Sequence, residues 1–149
     1  MPDPKGIAAT VARIRERANL VIERELRARG VVGIVPAHGP VLKLLLEQDT
    51  PVPIKAVVED VGRVKSTVTV MIQTLERHGY LRKLPCEADN RATLVELTAA
   101  GRALRDDFEA ISSKLLDRVY GDMPLADRER LIALLDQVER NLGEQETKR

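Results

Sequence analysis

Two short apolar-periodic stretches on either side of a glycine constrain this chain more than any other feature. Ile54, Val57, Val58 and Val61 fall at i, i+3, i+4 and i+7, the repeat of one helix face, and Gly62 ends the run. The pattern then restarts. Val68, Met71, Ile72 and Leu75 line one side of a helix expected over residues 65–78, while Ser66, Thr69, Val70, Gln73 and Arg77 fall on the other. Gly79 stands where a helix C-terminus favours a left-handed residue. Helices this short, joined by so tight a turn, are stable only if their apolar faces lock together, which leaves one polar face outward.

The flanking segments fit around this pair. Residues 80–84 and 93–97 are β-prone and are separated by strong turn chemistry at Asp89-Asn90, so a β-hairpin with a charged tip is expected. Thr98 is placed to N-cap a helix with the seam Leu104, Phe108, Ile111, Leu115 and Val119, broken at Gly121 and Pro124. A last helix carries Leu131, Leu135, Val138 and Leu142, and the polar tail from Gly143 is expected to fray. Upstream, Ile7, Val11, Ile14, Ala18 and Val21 recur at alternating spacings of four and three, a coiled-coil-like seam. A second helix is expected from Pro36 to about Gln48, with Val41, Leu42, Leu45 and Leu46 on its core face, followed by the extended Thr50-Pro51-Val52-Pro53.

The fold class is therefore mainly α with a small β-hairpin wing (α+β). With aromatics at only 2% of the chain, the core must be aliphatic, which favours helix packing over a large β-sandwich. The 149 residues suit one domain, and no linker or repeat divides them. A net charge of +1 does not advertise nucleic-acid binding for the chain as a whole. Its distribution says more, since residues 62–105 carry twice as many basic as acidic side chains while 106–149 are predominantly acidic. No long apolar run and no signal-peptide pattern are present, so a cytoplasmic protein without a membrane partner is expected, and the single Cys86 fits a reducing compartment.

A helix that enters the DNA major groove offers short or flexible polar groups to base edges while a partner helix holds its other face. The 65–78 segment has both properties. Ser66 and Thr69 can hydrogen-bond bases or phosphates, Gln73 can pair bidentately with adenine, and Lys65 and Arg77 can meet phosphates. The same pattern also describes an ordinary amphipathic surface helix, so its neighbours decide. A preceding short helix and a following hairpin with Arg91 at its tip are the parts of a winged helix-turn-helix, in which an arginine can enter the minor groove. Arg91 can equally be a turn residue paired with Asp89, and the two readings are compatible.

The stretches Lys65-Ser66-Thr67-Val68-Thr69, Leu75-Glu76-Arg77-His78-Gly79-Tyr80-Leu81-Arg82, Asp89-Asn90-Arg91 and Leu97-Thr98-Ala99-Ala100-Gly101 together resemble the DNA-binding lobe of MarR-type transcriptional regulators. The resemblance implies a winged helix-turn-helix lobe over residues 34–103, with dimerisation helices over 1–33 and 104–149, all within a single 1–149 domain. It also implies a homodimer that represses from a near-palindromic operator of double-stranded DNA, with half-sites about 10 bp apart. In many members a small molecule or an oxidant releases the DNA. The implied DNA-binding set is Lys65, Ser66, Thr67, Thr69, Val70, Gln73, Arg77, Arg82, Asp89 and Arg91.

Two positions depart from the family pattern. Val70 stands where an arginine is common, removing an expected polar contact and offering instead a group that can touch a thymine methyl. Val64 occupies the position before Lys65 that is often Ser or Thr, so the helix start lacks a side-chain cap typically worth about 1 kcal/mol.

Other chemistries find little support. His38 and His78 are far apart in sequence and no cluster has metal-ligand spacing, so neither a metal nor a cofactor is expected. His38 either caps local structure or, with Phe108 and Tyr120, lines a pocket for a small-molecule effector. Cys86 in the expected wing is either inert or a redox sensor. No phosphate loop, nucleophile elbow or acid/base pair is present, so an enzyme is not expected. The alternative to DNA binding is a winged-helix protein-interaction module.

Overall fold

The apolar faces expected between residues 36 and 98 converge on one core in the computed structural model, which describes residues 3–144. A 3₁₀ turn (Pro4–Gly6) leads into α1 (Ile7–Ala28), and a second (Pro36–His38) leads into α2 (Gly39–Glu47). The chain continues through β1 (Val52–Pro53), α3 (Ile54–Val61), α4 (Lys65–Arg77), β2 (Leu81–Pro85) and β3 (Thr93–Leu97). It ends with α5 (Ala99–Arg102), α6 (Arg105–Tyr120) and α7 (Leu125–Glu144). Two compact units divide after Leu115, so α6 begins in the first and ends in the second.

In the first unit, Val41, Leu42, Leu45 and Leu46 of α2 and Val68, Met71, Ile72 and Leu75 of α4 are all buried, as their spacing predicts. They meet Val57 of α3, the sheet residues Val52, Leu81, Val95 and Leu97, and Leu26, Ile34, Leu104 and Ile111. Burying each such side chain stabilises the fold by about 1.5–3 kcal/mol. Among the described residues, no buried side-chain nitrogen or oxygen lacks a hydrogen-bond partner, so no unpaired polar side chain offsets that gain.

Three details differ from the sequence expectation. The hairpin gains a third strand, because the Pro-extended segment pairs antiparallel with β3 (Val52 opposite Val95, Pro53 opposite Leu94), giving the order β1-β3-β2. Pro53 is tolerated there because an edge strand can spare a donor. Pro36 opens a 3₁₀ turn, with the α-helix starting at Gly39. The helix expected from Thr98 is split into α5 and α6. Thr98 does cap α5, its Oγ1 accepting from the Gly101 N–H at 3.2 Å. A side chain at Gly101, however, would collide with the Tyr80 carbonyl oxygen, so this turn is pressed onto the strand entry. The Leu104 N–H then bonds back to the Gly101 carbonyl, a tighter turn that redirects the chain into α6.

The seams at the two ends of the chain look different. On α1, Ile7, Val11 and Ile14 are exposed, Ala18 and Val21 are half-buried, and Leu26 is buried. In the second unit Leu116, Val119, Leu125, Ile132, Leu134, Leu135, Val138 and Leu142 are exposed, while Leu131 is half-buried. Local contacts there include the Arg128 guanidinium, which lies 5.2 Å from the centre of the Tyr120 ring and donates to the Met123 carbonyl at 2.8 Å. The polar tail expected to fray from Gly143 is helical at Gly143 and Glu144, and residues 145–149 lie outside the described residues.

Candidate nucleic-acid interface

The α3–α4 pair is built as its sequence demands. Gly62 closes α3 with a left-handed φ of 69°, and Arg63 and Val64 lead directly into Lys65. Val64 makes no side-chain cap, as expected, so the first turn of α4 starts without a side-chain cap hydrogen bond among the described residues. At the other end, the Gly79 N–H bonds the Glu76 carbonyl at 2.9 Å and the Tyr80 N–H bonds the Leu75 carbonyl at 3.0 Å. That crossed pair needs a positive φ at Gly79, which is 81°.

With four side chains of α4 buried, its opposite face is open. Lys65, Ser66, Val70, Gln73 and Arg77 are exposed, whereas Thr67 and Thr69 are half-buried on its shoulders. Ser66, Val70, Gln73 and Arg77 are spaced four, three and four residues apart and so form one stripe along the helix.

The wing is tied to this helix by bonds that the sequence pattern does not single out. Glu76 receives the Lys83 N–H at 3.3 Å and lies 3.7 Å from the Lys83 ammonium, fastening β2 to α4. The Thr98 hydroxyl donates to the Gly79 carbonyl at 2.5 Å, and the Thr98 N–H donates to the Tyr80 carbonyl at 3.0 Å. Glu76 and Thr98 thus fix where the hairpin leaves the helix.

Arg82 and Asp89 are engaged within the fold. Arg82 Nε donates to Glu96 Oε1 at 2.6 Å across the β2–β3 pair, so its guanidinium is held by a carboxylate. The expected pairing of Asp89 with the Arg91 side chain is not the one formed: Asp89 Oδ1 accepts the Arg91 backbone N–H at 2.9 Å. Short carboxylates commonly bond the backbone two residues on, and here that bond shapes the wing tip. The Arg91 guanidinium is exposed and has no ion pair among the described residues. Arg63, Lys65 and Arg77 are likewise exposed and unpaired among those residues. Arg63 is not among the sequence candidates, because helical periodicity draws attention to helix positions and Arg63 lies in the turn. Its signal is charge, next to Gly62 and two residues before Lys65.

The remaining candidates lie apart from this face. His38 is buried at 6% exposure, and its Nδ1 accepts the Val35 N–H at 3.2 Å, fixing the turn before α2. Burial, and then the nearby His78, hold its pKa below the usual histidine value. Phe108 is half-buried against the core edge. A shallow groove lined by Pro40, Lys43, Leu44, Glu47 and Asp60 includes neither. Cys86 is half-buried where β2 ends, its N–H bonded to the Ala92 carbonyl. Among the described residues no group of three or more His, Cys, Asp or Glu is placed to hold a metal, and no helix is long and apolar enough to cross a membrane.

Comparison with known proteins matches this architecture. A family model described as the IclR helix-turn-helix domain fits residues 40–85, from α2 through β2. Among solved structures, the DNA complex of MepR from S. aureus is 18% identical, with 90% of this chain and 96% of that chain covered and a TM-score of 0.80. A MarR transcriptional regulator from Methanosarcina mazei Go1 is 22% identical, covering 93% and 98%, with a TM-score of 0.76. CouR from Rhodococcus jostii RHA1 bound to p-coumaroyl-CoA is also 22% identical, covering 89% and 90%, with a TM-score of 0.71.

Proposed function

We propose that this chain, whose fold is that of the MarR-type winged helix-turn-helix regulators, is a homodimeric DNA-binding transcriptional repressor rather than an enzyme. One observation carries the reading: a single exposed stripe on α4 is flanked by cations with no carboxylate partner among the described residues, Arg63 and Lys65 before it, Arg77 at its end and Arg91 on the wing. In this scheme Ser66, Thr69 and Gln73 face base edges in the major groove. Thr67, Lys65, Arg77 and Arg63 meet phosphates, with the open first turn of α4 favouring an anion. Arg91 reaches toward the minor groove from a tip shaped by Asp89. Arg82 contributes through its pair with Glu96, which stiffens the wing.

Residues 34–103 form the DNA-binding lobe, and 1–33 with 104–149 supply dimerisation helices whose exposed apolar seams gain a partner in the second copy. A palindromic operator follows from the two-fold symmetry. CouR, which shares this fold, binds p-coumaroyl-CoA, and that supports release by a small-molecule effector here as well. His38 and Phe108 are the candidate lining. The protein acts in the cytoplasm, where the DNA is.

The test is titration of a labelled duplex, selected from a random pool, at several salt concentrations. With Arg63, Lys65 and Arg77 on phosphates in each protomer, the log–log salt slope is expected near about −5, an affinity loss of about 10³ between 50 and 200 mM. Absence of binding at low salt, or a flat salt response, overturns the reading.

A further inference from the structure

The stripe on α4 contains one residue that neither the fold nor phosphate binding accounts for. Val70 is 60% exposed in the middle of it, one turn after Ser66 and three residues before Gln73, whereas Val68 on the other side of the helix is fully buried. An exposed valine contributes nothing to the core, and a β-branched residue is a weaker helix former than the alanine, lysine or glutamine that could stand there. Its two methyl groups form an apolar spot among polar neighbours, held near one rotamer by the helix backbone, so placing them against a partner costs little entropy. In the major groove, the apolar group that distinguishes one base from another is the C5 methyl of thymine.

We infer that Val70 is a specificity determinant that reads a thymine methyl in each half-site, beside the base pair read by Gln73. This rests on α4 being the DNA-reading helix. Three residues advance the chain about 4.5 Å along a helix, and base pairs are stacked about 3.4 Å apart, so the Val70 and Gln73 contacts fall on neighbouring base pairs. Gln73 favours adenine through its bidentate amide. The half-site is therefore expected to contain a thymine adjoining an adenine-bearing pair, on either strand.

The experiment uses the full-length protein and a duplex enriched from a random pool. Each thymine is replaced singly by deoxyuridine, which removes the methyl and leaves the base-pairing edge unchanged. At one position per half-site the substitution is expected to weaken binding about fourfold, and about fifteenfold when both half-sites are changed. Val70→Ala should abolish that difference between the two duplexes, while Val70→Thr, which keeps one methyl, should retain part of it. Melting temperature confirms that each variant is folded. Equal affinity for every deoxyuridine duplex, or discrimination that survives in Val70→Ala, overturns the inference while leaving the DNA-binding reading standing. If no duplex is enriched at low salt, the DNA-binding reading itself falls, and this inference with it.

Discussion

The α2–α4 lobe with its sheet and the two ends of the chain use the same aliphatic residues to opposite effect. In the lobe, Leu42, Ile72, Leu75 and Leu81 are almost completely buried. On α7, Leu134, Leu135, Val138 and Leu142 remain exposed, as do Ile7, Val11 and Ile14 on α1. A lone exposed leucine is ordinary, but a periodic apolar seam left open along a helix calls for an interface. The lobe buries its apolar faces within one chain, whereas the terminal helices leave apolar side chains uncovered within it.

The largest effect expected from breaking that contrast comes inside the lobe. Leu75→Ala should destabilise the chain by about 2–5 kcal/mol in denaturant titration, because the surrounding core cannot close the cavity. Gly101→Ala comes next. Its methyl would collide with the Tyr80 carbonyl, so a loss of about 1–3 kcal/mol is expected by the same measurement.

On the terminal seam, Leu135→Glu should act through assembly. Sedimentation should show a shift from dimer to monomer, weakening association by about 2 kcal/mol or more if Leu135 is a central contact. A variant still fully dimeric at low micromolar concentration would remove Leu135 from the interface. Arg91→Ala should leave melting unchanged and weaken duplex binding by about 1 kcal/mol, roughly fivefold. Unchanged affinity would take the wing tip out of the contact.

The smallest effect concerns acid. His38 has a folded-state pKa below its unfolded value of 6.5, because burial and then His78 disfavour its charged form. The unfolded chain therefore binds the proton first. The contribution is fully present above pH 6.5 and is lost as pH falls from there through the folded-state pKa. Melting temperature should fall on acidification more in the native chain than in His38→Gln, whose side-chain oxygen can still accept the Val35 N–H. Equal acid sensitivity would show that His38 is not the responsible group.

Much of this architecture was legible in sequence because its determinants are local. The repeat of Val57 and Val61, and then of Val68, Met71, Ile72 and Leu75, specifies two helices and their buried faces. Gly62 and Gly79 mark their ends, Thr98 marks a cap, and the stripe containing Ser66, Val70, Gln73 and Arg77 follows from the period. Each depends on residues within a turn or two along the chain. What required the tertiary structure depends on residues brought together from far apart. Val52 became a strand only because Val95 lay beside it, and the helix after Thr98 turned at Gly101 only because the Tyr80 carbonyl was there. Likewise Arg82 was taken up by Glu96, Glu76 was drawn to Lys83, and Asp89 bonded the backbone of Arg91, which left the Arg91 guanidinium free of an ion pair among the described residues. Periodicity determined which face of α4 is open. Long-range pairing decided which charges remain beside it, because a salt bridge forms between neighbours in space and leaves no period in the chain.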